Sequence, residues 1–126
     1  MLGLQFETKT SWAVIAKDNL QQILTDHAFL EQKAASNAVS LIINYSEETK
    51  LVEAMSEIAI EEMQHFKMVH DFMVKRGMVL GREQKNDYAI QLMKFFKKTG
   101  DRKEALIQRL LIAALIEARS CERFKV

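Results

Sequence analysis

"EEMQHF", residues 61–66, decides how this chain is read. It lies within residues 46–76, a stretch with neither proline nor glycine and with the residue types of a long helix. On a helix, steps of three, four and seven residues from Glu62 and His65 reach Met55, Ile58 and Val69. A carboxylate and an imidazole therefore share a side with an apolar seam. Either the seam carries an ordinary polar interruption, or the helix delivers ligands to something buried.

The rest of the chain has the composition of a helical protein. Of 126 residues, 48% are apolar and 28% charged, with four glycines and no proline, which disfavours a turn-rich β fold. This length suits one domain with one core. The net charge of +1 neither demands nor excludes a polyanionic partner. The single cysteine, Cys121, excludes an internal disulfide framework and suits a reducing cytoplasm, the expected location. "MLGLQFETKTSW" at the start lacks a basic segment followed by an apolar one, so no signal peptide is expected. No apolar run approaches the roughly 20 residues that cross a bilayer.

Four helices are predicted, forming an all-α antiparallel bundle. The first runs from Ser11 to Tyr45, with Thr10 or Ser11 as its cap and Leu20, Leu24, Ala28, Ala35, Ala38 and Ile42 on its packing face. The second runs from Ser46, in a capping box with Thr49, to Arg76, and stops at Gly77. A short third helix covers Asn86 to Lys98. Asp101, with Glu104 three residues on, opens the fourth. Met55, Met63, Met68, Met73 and Met93 read as core filler, and Cys121 as a small buried residue.

Two further carboxylates fall on packing faces. Steps from Glu31 reach Leu24, His27, Ala28, Ala34, Ala35 and Ala38. Steps from Glu117 reach Leu110, Ala113, Ala114, Ser120, Cys121 and Phe124, whereas Glu122 has rim neighbours. Buried carboxylates are paired or coordinating. Each residue alone has an unremarkable reading: a salt-bridged pair for Glu62 and His65, a lysine or arginine partner for Glu31, a satisfied interfacial imidazole for His27. Together, one Glu on each of two helices and Glu-x-x-His on a third point to a metal; this is part of the ligand set of ferritin-like di-iron bundles. Lys94, Lys97, Lys98, Arg102 and Lys103 form a basic cluster that reads either as a phosphate contact or as a solvated helix end.

Three segments, "DHAFLEQKAASNAVSLI" (26–42), "EEMQHFKMVHDFMVKRGMVLGR" (61–82) and "LIEARSCERF" (115–124), resemble the tRNA 2-methylthio-isopentenyladenosine hydroxylases, bacterial ferritin-like di-iron monooxygenases. The resemblance implies iron as cofactor, with Glu31, Glu62, His65 and Glu117 as metal ligands. It implies hydroxylation of the isopentenyl group of a modified adenosine in tRNA, with O2 and an electron-donor protein. The family pattern continues into a further helix with a second Glu-x-x-His. Here only Lys125 and Val126 follow Phe124, so a bundle incomplete at its C-terminus is expected, with an unfilled groove that favours self-association into a homo-oligomer. Two other readings stand beside the enzyme: a metal-poor bundle that self-associates without catalysis, and a ferritin-like iron-binding protein.

Overall fold

The computed structural model describes residues 8–83, 87–96 and 100–123, and all of its regular structure among these is helical. The helices are α1 (Ser11–Asp18), α2 (Leu20–Asn44), α3 (Thr49–Lys75), α4 (Asp87–Lys94) and α5 (Arg102–Arg123). They fall into two compact units, Asn19–Gln84 and Met1–Asp18 with Lys85–Val126.

The first unit is a hairpin of α2 and α3. Ala28, Ala35, Ala38 and Leu41 from α2, Tyr45 just beyond its end, and Met55 and Met73 from α3 are its buried apolar residues. The alanines matter most, because a seam without bulk lets a neighbouring helix come close. Its packing face differs from the prediction at both ends. Leu41, not Ile42, is fully buried, and Leu20 is exposed. The predicted first helix is also two helices. Asn19 interrupts it with φ −126° and ψ 34°, and no side chain caps the restart. Asp18 and Asn19 are residue types whose side chains compete with helical backbone bonds.

The chain reverses through residues 45–48. The buried ring of Tyr45 anchors the reversal, and the Glu48 N–H donates to the Tyr45 carbonyl at 3.0 Å. α3 begins at Thr49 rather than at Ser46, with Glu48 in the capping position and no side-chain cap, so the predicted capping box does not form. The predicted stop does form. Gly77 has φ 68°. Its N–H donates to Val74 O at 3.0 Å, and the Met78 N–H donates to Met73 O at 2.9 Å, the pair of bonds that closes a Schellman end. The chain then crosses back over α2. The Gly81 N–H donates to Thr25 Oγ1 at 3.2 Å, Thr25 Oγ1–H donates to Gln21 O at 2.8 Å, and Lys33 pairs with Glu83.

In the second unit α4 packs on α5. α4 ends at Lys94, and the Phe95 and Phe96 N–H groups close tighter three-residue turns behind it. Asn86 and Lys98, the predicted limits of this helix, lie outside the described residues, as does Lys97. Asp101 caps α5 as predicted: its Oδ1 accepts from the Lys103 N–H at 2.8 Å and the Glu104 N–H at 3.1 Å. Met55 and Met73 are core residues as predicted, but Met63, Met68 and Met93 are exposed. Cys121 is also exposed, contrary to expectation. Residue type alone does not decide which helix face is covered.

Two substitutions test this account by urea unfolding. At Gly77 an added Cβ meets nothing within 4 Å, so Gly77→Ala is expected to lose about 1 kcal/mol through its backbone angle alone. Ala35→Leu must force α2 from α3 and is expected to lose about 1–3 kcal/mol. An unchanged midpoint for Ala35→Leu would refute the close seam.

Candidate metal centre

Glu31 and Glu62 stand almost the same number of residues from the turn, one before it and one after. The hairpin therefore brings them level. His65 follows Glu62 by one helical turn and faces the same way. One donor atom each from Glu31, Glu62 and His65 lie within 4.8 Å of one another. His65 Nδ1 is the ring nitrogen turned toward both carboxylates, 3.6 Å from Glu31 Oε2 and 3.8 Å from Glu62 Oε2. Both separations exceed hydrogen-bond length. The three groups converge without closing on one another.

Burial differs across the cluster. Glu31 is 8% exposed, and the Glu62 side chain is 14% exposed. His65 is half-buried, and so forms the open side. Glu62 Oε2 is buried and has no hydrogen-bond partner. An unsatisfied buried carboxylate oxygen costs on the order of 1–3 kcal/mol or more. Two carboxylates at close range add mutual repulsion. A divalent cation removes both costs. Carboxylate oxygens with one imidazole suit first-row metals such as iron, so the residues present fit the group that the sequence predicts.

The neighbours sort clearly. His27 Nε2 lies 3.2 Å from Glu31 Oε1, one turn earlier on α2. Burial holds the His27 imidazole below its ordinary pKa, the nearby His65 lowers it further and Glu62 opposes the shift. His27 is therefore neutral near pH 7 and adds no positive charge beside the cluster. Glu61 is largely exposed, with its nearest oxygen 3.9 Å from His65 Nε2. His70 stacks on Phe66, the ring centroids 6.2 Å apart and the ring planes nearly parallel, one turn past the cluster. Glu117 lies on α5, in the other compact unit, with an exposed side chain; Leu110, Ala114 and Cys121 on the same stripe are exposed too. The link between His27 and Glu31 is a residue role that the sequence hinted at only through their i, i+4 spacing.

Two long antiparallel helices with a carboxylate–imidazole cluster between them are an arrangement of the ferritin-like class of helical bundles. The comparisons are narrower. The family described as tRNA-(MS[2]IO[6]A)-hydroxylase (MiaE) matches residues 2–126, and this chain is a member of it. It is 38% identical over 117 residues to a tRNA 2-(methylsulfanyl)-N(6)-isopentenyladenosine(37) hydroxylase of Pseudomonas putida, across 93% of this chain and 56% of the relative. It is 26% identical to the enzyme of the same name from Salmonella typhimurium, across 96% of this chain and 62% of the relative. A solved structure, "Protein 43 with aldehyde deformylating oxygenase activity from Synechococcus", superposes with a TM-score of 0.87 at 35% identity, across 95% of this chain and 59% of the other. The chain thus spans a little over half the length of the relatives it matches.

Glu62→Met removes the unsatisfied oxygen and keeps a helix-forming side chain. In metal-free protein it is expected to raise the melting temperature, by a stability gain of about 1 kcal/mol, while abolishing metal uptake. Glu62→Ala and His65→Ala are expected to lower metal affinity far more than Glu61→Ala. Equal losses for all three would refute this choice of ligands.

Proposed function

We propose that this chain supplies metal-binding helices of a tRNA-modifying monooxygenase that hydroxylates the isopentenyl group of 2-methylthio-isopentenyladenosine. The observation that carries this reading is the convergence of Glu31, Glu62 and His65, with a buried, unsatisfied Glu62 oxygen, in a member of this hydroxylase family. The two relatives named above are tRNA hydroxylases of that kind.

Iron is the proposed cofactor, as a di-iron centre. Glu31, Glu62 and His65 would hold metal; Glu117 joins them on the family resemblance alone. When bound, the metal supplies the activation of O2 needed to attack an unreactive C–H bond. The chain's own residues do the rest. Glu31 and Glu62 supply negative charge and oxygen donors. Ala28 and Ala35, both buried, flank Glu31 with apolar surface that excludes water. Half-buried His65 stands where the cluster opens.

Hydroxylation with O2 consumes two electrons, so a donor protein is part of the proposal. The tRNA phosphates are assigned to the basic cluster. Lys94, Arg102 and Lys103 are exposed at the facing ends of α4 and α5, while Lys97 and Lys98 lie outside the described residues. No helix among the described residues is long and apolar enough to cross a membrane, which accords with a cytoplasmic setting.

The test is direct. The chain is loaded anaerobically with Fe(II), its iron is counted, and it is given tRNA bearing the unhydroxylated nucleoside, O2 and a reductant. Digested nucleosides are read by mass spectrometry. One added oxygen is expected, and Glu62→Ala is expected to lose the product by more than about a hundredfold, since even outer partners of a metal site cost 10–100-fold. Iron-loaded protein that leaves the nucleoside unchanged but deformylates a fatty aldehyde would replace this reading with the activity named for the Synechococcus relative. Iron uptake with neither product would leave an iron-binding protein.

A further inference from the structure

We infer that His27 is a positioning residue for the metal centre: it holds one oxygen of Glu31 so that the other is presented to the cluster. The inference rests on the metal site proposed above and goes beyond it to a residue outside the ligand set.

The geometry divides the two oxygens of Glu31 between two imidazoles. Oε1 lies 3.2 Å from His27 Nε2, and Oε2 lies 3.6 Å from His65 Nδ1. The first separation is within hydrogen-bond reach and the second is not. Two acceptors cannot face each other at 3.2 Å, so Nε2 carries the proton and donates it to Oε1. That bond comes from within α2, from the preceding turn, and does not depend on α3. It therefore exists before a metal arrives. Glu31 needs such a hold because its neighbours on the buried face are Ala28 and Ala35, too small to pack a glutamate side chain into one rotamer. Glu62 Oε2, by contrast, is buried with no hydrogen-bond partner. His27 is not itself among the converging donors, which are Glu31, Glu62 and His65. Its close approach to that set is to Glu31, at 3.2 Å.

The test uses the full chain and Co(II), whose visible absorption reports ligand number and geometry. Affinity and spectrum are compared for the unaltered protein, His27→Leu, His27→Gln and, as a control for loss of an imidazole elsewhere, His70→Gln. His27→Leu is expected to weaken Co(II) binding by about 10–100-fold and to alter the spectrum. His27→Gln, which keeps an N–H donor, is expected to recover most of both. His70→Gln is expected to match the unaltered protein. The melting temperature without metal shows whether each variant folds. A folded His27→Leu protein with unchanged affinity and spectrum would overturn the inference. So would equal losses in His27→Leu and His27→Gln, which would make the ring itself the requirement. If the unaltered protein takes up no Co(II), the metal site fails first and the inference goes with it; that result is distinct, because every variant then behaves alike.

Discussion

The structure of the hairpin turns on one unfavourable placement, a carboxylate on a helix face otherwise built from alanine. Glu31 is buried between Ala28 and Ala35, where nothing but polar contact can offset its desolvation. Small neighbours give it room and also bring α3 near enough to answer it. The reversal at residues 45–48 sets the level at which the two helices meet, and that level puts Glu62 and His65 opposite Glu31. Close packing and the convergence of donors are thus one feature. A bulkier seam would stabilise the helix pair by apolar burial and move these donors apart.

What could be read from the chain before its structure was the periodic part. Glu31, Glu62 and His65 stand at helical spacing among apolar or small residues, and periodicity reports faces well. Gly77 and Asp101 were legible because each acts through its own backbone or its own short side chain. Features that depend on context were not. The interruption at Asn19 is one residue long and leaves the surrounding pattern intact. Ser46 has the chemistry of a cap, yet the chain turns once more before α3 starts. Leu41 and Ile42 are equally apolar, and only the helix crossing selects between them. Met63, Met68 and Cys121 occupy faces whose exposure no spacing rule predicts.

The comparisons constrain the chemistry differently from the fold. One scaffold accommodates relatives named for tRNA hydroxylation and a relative named for aldehyde deformylation. Shared helices therefore do not choose the substrate. A carboxylate–imidazole cluster of this kind is chemically compatible with either of the activities those relatives are named for. Selection between a nucleoside and an aldehyde is therefore not made by these three residues themselves.

The chain leaving α3 has a role beyond connection. Its backbone is stitched to Thr25, toward the end of α2 remote from the reversal, and its Glu83 pairs with Lys33 at mid-helix. The two helices behave like a ladder with both ends tied and Glu31, Glu62 and His65 on a middle rung. Their spacing is set by the fold, so an ion bound at the proposed site would meet a gauge of fixed width instead of drawing two loose rods together.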